Sequence, residues 1–93
     1  MIQSFGTKHT EALHRDGRCH RRWAAFESVA IRKLDMIDAA VEPGDLRSPP
    51  GNRLEKLSGD RDGQWSIRIN DQWRICFSWG EKGPEGVEIV DYH

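Results

Sequence analysis

Apolar side chains recur at two different periods along this chain, and the change of period divides it. Between about Arg22 and Val41, the residues Trp23, Phe26, Ala30, Leu34, Ile37 and Val41 return every three or four positions, while Glu27, Arg32, Asp35 and Asp38 occupy the rest of the circumference. That spacing predicts an amphipathic helix. Pro43-Gly44 ends it, because a proline pushes the residue before it out of the helical region. Upstream, Thr10 to Arg15 predicts a short helix with Thr10 or Thr7 as cap and Gly17 as stop, and Ile2 to Phe5 a short first strand. Ser48-Pro49-Pro50-Gly51-Asn52 is a stiff loop, too short to link two domains.

Past that loop the period falls to two. Leu54 to Leu57 predicts a short strand, and Ser58 to Gly63 a turn. Trp65, Ile67 and Ile69 alternate with Ser66, Arg68 and Asn70, and Trp73, Ile75, Phe77 and Trp79 alternate with Arg74, Cys76 and Ser78. A two-residue loop between these runs would mix their faces. A loop of Asn70-Asp71-Gln72 instead pairs Ile69 with Trp73, Ile67 with Ile75 and Trp65 with Phe77, leaving every apolar residue on one side. Gly83-Pro84-Glu85-Gly86 predicts the next turn and Val87 to Tyr92 the last strand. The expected architecture is α+β: β-α-α, then an antiparallel sheet with the helices packed on its apolar face.

Composition narrows the function. The 93 residues predict one domain spanning 1–93, and 37% hydrophobic against 31% charged residues is the balance of a folded globule. No apolar run approaches the ~20 residues needed to cross a bilayer, and the N-terminus has no signal-peptide pattern, so the expected compartment is the cytoplasm, without a membrane partner. Cys19 and Cys76 read as two reduced thiols. The net charge of −1 conceals a gradient, with six basic and four acidic residues from Leu46 to Trp79 against one and four from Gly80 to His93. The excess is too small for strong non-specific RNA binding, so a nucleic-acid substrate would need help in delivery.

The hairpin register sets Arg68 opposite Arg74 on the polar face. Like charges there repel, unless they hold an anion such as a phosphate or splay towards solvent, Asp71 or Glu88. At the chain's end, Asp91, Tyr92 and His93 place an imidazole beside a carboxylate and a phenol, either a proton-transfer group or a solvated terminus. Glu55, between Arg53 and Lys56, is a candidate base or an ion-pair partner of Arg53 or Arg74. His9, His14, Cys19 and His20 match no compact zinc spacing, so no metal and no cofactor are expected. Arg15, Arg18, Arg21 and Arg22 form a solvated basic face or one that meets an acidic partner or ribosomal RNA.

The motifs Leu46-Arg47-Ser48-Pro49-Pro50-Gly51-Asn52-Arg53-Leu54-Glu55-Lys56-Leu57, Ser58-Gly59-Asp60-Arg61, Gln64 to Phe77 and Val87-Glu88-Ile89-Val90-Asp91-Tyr92-His93 together resemble the HigB toxins of the RelE superfamily. The resemblance covers essentially the whole chain, with its specificity in the second half. It implies a RelE-like fold, metal-independent cleavage of mRNA in the ribosomal A site, a helix-turn-helix antitoxin of the HigA type, and operator DNA bound through the toxin–antitoxin complex. It also implies that Asp91, Tyr92 and His93 are functional and that Arg74 stabilises the phosphate. Arg68 follows from the hairpin register rather than from the family, and Arg53 and Lys56, beside Glu55, join it as candidate phosphate-binding residues. Some HigB toxins carry a catalytic histidine where this chain has Glu55, which opens the division of acid and base roles. Two alternatives stand: an antitoxin-binding co-repressor with weak catalysis, or a single-stranded RNA binder that stacks bases on Trp65, Trp73 or Trp79.

Overall fold

The computed structural model describes residues 1–91, so Tyr92 and His93 lie outside it. Its first helix, α1, runs Lys8–Asp16. Thr7 caps it, its hydroxyl oxygen accepting the Thr10 N–H at 3.2 Å, and Gly17 closes it in the left-handed region at φ 70°.

The predicted long helix is two pieces. A 3-10 helix, Arg21–Phe26, leads into α2, Glu27–Ala39. The tight first piece begins where His20 Nδ1 accepts the Arg22 N–H at 3.1 Å. Trp23, Phe26, Ala30, Leu34 and Ile37 are buried as the spacing predicts, but Val41 is 85% exposed. The chain turns extended at Ala40, and the Asp45 carboxylate accepts the N–H groups of Val41 and Glu42 at 2.9 and 3.2 Å. Those donors are satisfied outside a helix, so α2 stops two residues early, at Ala39, and Ala40 takes the buried place expected of Val41.

Four strands follow: β1 Glu55–Lys56, β2 Gln64–Arg68, β3 Trp73–Gly80 and β4 Gly83–Asp91. They form one antiparallel sheet in the order β1-β2-β3-β4. The hairpin register is the expected one: Trp65 faces Phe77, Ile67 faces Ile75 and Arg68 faces Arg74. Asn70 shapes its loop, its side-chain oxygen accepting the N–H groups of Gln72 and Trp73 at 2.9 and 2.8 Å.

The expected turn at Gly83–Gly86 is instead strand. Gly80 pairs with Gly83, so the chain reverses at Glu81-Lys82. The pairing shifts between Cys76, opposite Glu88, and Ser78, opposite Glu85, and Gly86 takes φ 60° in the resulting bulge. The expected first strand reduces to one parallel bridge, Phe5 to Val87, with the Ser4 carbonyl accepting the Val87 N–H at 3.1 Å.

The helical side chains Leu13, Trp23, Phe26, Ala30, Leu34 and Ile37 share one core with Ile67, Ile75, Phe77, Val87 and Ile89 of the sheet. The polar alternation positions are not left to solvent either. Ser66 and Cys76 have no exposure and Arg74 has 9%, because the chain after Ser48 folds over that face. Arg53 presents its carbonyl to Arg74 at 2.7 Å, and Arg61 pairs with Glu88 at 3.0 Å. Among the described residues, no helix is long and apolar enough to cross a membrane.

Candidate active site

Arg74 is the fixed point of the covered face. Its Nε donates to Ser66 Oγ at 2.8 Å and its Nη2 to the Arg53 carbonyl at 2.7 Å, while the Glu55 carboxylate stands 3.9 Å away. Three elements therefore locate one guanidinium: β3 carries it, β2 supplies Ser66, and the loop before β1 supplies the carbonyl. Arg53 sits in the left-handed region at φ 46°, rare for a side-chain-bearing residue, and that backbone turn aims its carbonyl at Arg74.

The loop is held in turn by Asn52, which is fully buried. Asn52 Nδ2 donates to the carbonyls of Leu46 and Ser48 at 3.2 and 3.4 Å, and its Oδ1 accepts from the Lys33 ammonium. Lys33 is buried too, at 7% exposure. Burial pulls its pKa below the ordinary lysine value, and the neighbouring charges of Arg32 and Arg68 pull the same way.

Arg68 lies on the rung of Arg74 but is not held like it. It is half-exposed and pairs with Asp71 of the hairpin loop. Glu55 is more than half exposed, on the same face as Ser66 and Arg74. Lys56 points to the other face, its ammonium 5.5 Å from the Trp65 ring centroid, and is not part of this cluster.

Asp91 is also elsewhere. It ends β4 opposite Trp73, whereas Arg74 pairs with Val90, so Asp91 projects from the face opposite Arg74. Its carboxylate accepts from Gln72 Nε2 at 3.0 Å and lies 3.6 Å from Arg22 Nη2. Tyr92 and His93 fall outside the described residues. The structure therefore brings Arg74, Glu55 and the Arg53 backbone together, with Arg68 beside them, and sets Asp91 round the sheet's edge.

Ser66, Asn52 and Lys33 were not anticipated from the sequence. Ser66 was legible in part, since it shares the alternation face with Arg74. Among the described residues, no three His, Cys, Asp or Glu side chains gather as a metal site, and both cysteines are free thiols. Burial raises the Cys76 pKa above the ordinary thiol value, with Glu88 adding to the rise and Arg61 and Arg74 opposing it.

Chemically, a buried guanidinium beside an accessible carboxylate can stabilise an oxyanion and exchange a proton within one small region.

The fold is one that RelE-like toxins share. A chain of the YoeB-YefM complex from Staphylococcus aureus matches it with a TM-score of 0.61 over 100% of this chain and 98% of that one, at 13% identity. The YoeB/ParE toxin from Agrobacterium tumefaciens matches with a TM-score of 0.52 over 98% of both chains, at 18% identity. Sequence makes the assignment finer. The family model for the RelE-like toxin of the type II toxin-antitoxin system HigB matches residues 3–93. Toxin HigB-1 of Vibrio cholerae serotype O1 is 42% identical, over 99% of this chain and 94% of that protein. Endoribonuclease HigB of Proteus vulgaris is 33% identical over the full length of both. The chain belongs to the HigB-like toxin family of type II toxin–antitoxin systems.

Proposed function

We propose that this toxin is a ribosome-dependent endoribonuclease that cleaves mRNA in the A site without a metal ion, acting as one domain over residues 1–93. The observation that carries the reading is the buried Arg74, held by Ser66 and the Arg53 carbonyl beside Glu55, within a chain that aligns end to end with a protein named Endoribonuclease HigB. In the proposed reaction a base removes the proton of a ribose 2′-hydroxyl, and its oxygen bonds to the adjacent phosphorus. The bond to the 5′-oxygen then breaks and an acid protonates that oxygen. The products are a 2′,3′-cyclic phosphate and a 5′-hydroxyl.

Arg74 stabilises the charge that grows on the non-bridging oxygens. His93, with Tyr92, and Glu55 divide the acid and base roles, and Asp91, which projects from the other face, has a supporting role at the chain's end. Arg68 and Arg53 attract the RNA backbone, whereas Lys56, turned to the other face against Trp65, is left out of that set. With a net charge of −1, free RNA is held weakly, and the ribosome supplies the concentration and alignment of substrate. The partner is an antitoxin of the helix-turn-helix HigA type, and the complex binds operator DNA. The setting is the cytoplasm.

A second reading has two observations in its favour: Arg68 is committed to Asp71 and Glu55 is exposed to solvent, which suits a catalytically weak, antitoxin-binding co-repressor. Inducing the chain in bacteria, beside a His93→Ala variant, separates the two. Growth arrest with codon-spaced mRNA cuts that vanish in the variant supports the nuclease. Normal growth and intact mRNA despite abundant soluble protein would favour the co-repressor.

A further inference from the structure

Nothing in the proposed chemistry explains why a guanidinium from the N-terminal half reaches the end of the last strand. Arg22 lies in the 3-10 helix Arg21–Phe26, its N–H held by His20 Nδ1 at 3.1 Å. Its guanidinium carbon sits 5.0 Å from the centroid of the Trp73 ring. That ring is buried and packs against Phe26 at 5.6 Å, so the platform under Arg22 belongs to the core. From there Nη2 approaches Asp91 Oδ2 at 3.6 Å, the same oxygen that accepts from Gln72 Nε2 at 3.0 Å. Trp73 and Asp91 are register partners, so the stacking surface and the carboxylate come from one rung of the sheet.

An exposed ion pair of this kind contributes little to stability. Stacking changes what it is good for. A planar guanidinium laid on a fixed indole is oriented before it meets the carboxylate, as a free lysine or arginine would not be. The contact gives direction rather than energy.

We propose that Arg22 is a positioning residue: stacked on Trp73 and working with Gln72, it orients the Asp91 carboxylate at the end of β4 for the reaction. The inference rests on the endoribonuclease reading for its catalytic part and on the Arg22–Asp91 contact for its structural part. The rival explanation is that Arg22 touches RNA itself.

A thermodynamic cycle distinguishes these. Cleavage of a defined mRNA on purified ribosomes is measured for the wild type, Arg22→Ala, Asp91→Ala and the double variant. Arg22→Ala is expected to lower kcat about tenfold, equivalent to ~1.4 kcal/mol, with KM nearly unchanged and Tm within about 2 °C of wild type. Asp91→Ala is expected to lower kcat at least as far, and the double variant to be no slower than Asp91→Ala alone. Arg22→Lys, which keeps the charge without the planar stack, should recover only part of the loss. Losses that multiply in the double variant, a change confined to KM, or no change at all would overturn the proposal.

A second readout does not depend on activity. In NMR spectra of the full chain, Arg22→Ala should move the Gln72 side-chain amide and the Asp91 backbone amide. Unmoved signals overturn the contact even if the toxin cuts RNA. Moved signals in a wild-type chain that cuts nothing refute the nuclease reading while upholding the grip on Asp91.

Discussion

Two meetings of a guanidinium with a carboxylate lie on opposite faces of this sheet, and they differ in what fixes them. Around Arg74 the cation is buried: a serine hydroxyl and a backbone carbonyl hold it, and Glu55 stands 3.9 Å away. Around Asp91 the groups are exposed, and what fixes them is an indole stack and an amide from the hairpin loop. A buried cation located by a hydroxyl and a carbonyl presents a preorganised charge to an incoming anion. An exposed carboxylate held from two sides keeps its direction. The first arrangement suits charge stabilisation and the second suits orientation.

The comparison breaks most visibly at Arg74. Arg74→Met leaves Ser66 Oγ and the Arg53 carbonyl without their donor, with an expected stability loss of about 2–3 kcal/mol in urea unfolding. Cleavage should fall about 100-fold or more in the same variant, a loss that its remaining folded fraction cannot explain.

Glu55→Gln is next. Its carboxylate is more than half exposed, so stability should change by less than about 1 kcal/mol. If Glu55 exchanges the proton, kcat should fall about 10- to 100-fold and the pH–rate profile should lose one limb. An unchanged profile would assign the transfer to the chain's end.

Asn52→Ala tests the support beneath the buried cation. It removes the acceptor of the buried Lys33 ammonium and the donor to Leu46 and Ser48, for an expected loss of about 1–3 kcal/mol. Lys33 also gives a pH signature. Its folded pKa is lowered from 10.5, so between the lowered value and 10.5 the unfolded chain binds more protons, and stability contributed by this site rises with pH. Lys33→Met should flatten that alkaline rise in urea midpoints measured against pH.

Arg68→Ala should give the smallest effect. With Asp71 as its partner on the surface, its loss is expected to leave Tm within about 2 °C and kcat unchanged, and to raise KM about threefold.

The sequence made the hairpin legible because only one loop length sorts its apolar residues to one side, and Arg68 opposite Arg74 followed from that. The helix stripe was legible as far as Ile37. Its end was not, because the Val41 N–H finds the Asp45 side chain, a bond that leaves no mark in hydrophobic period. Gly83 to Gly86 carries turn punctuation yet lies in β4, since a bulge needs the same glycine freedom as a turn. The polar face looked open to water, and its cover depends on the path of the chain after Ser48. The site was legible as residue types more than as an arrangement. Arg74 and Glu55 do meet. Asp91 lies on the other face, and its tie to Arg22 joins residues far apart in the chain with no shared period.

The most direct test of the nuclease account is cleavage of a translated mRNA on purified ribosomes, mapped by primer extension, for wild type, Arg74→Met and His93→Ala. The account predicts discrete cuts with the wild type and a loss of about 100-fold or more in each variant, with every protein folded by circular dichroism. Intact mRNA with folded wild-type toxin, or cuts of equal strength in all three, would contradict it.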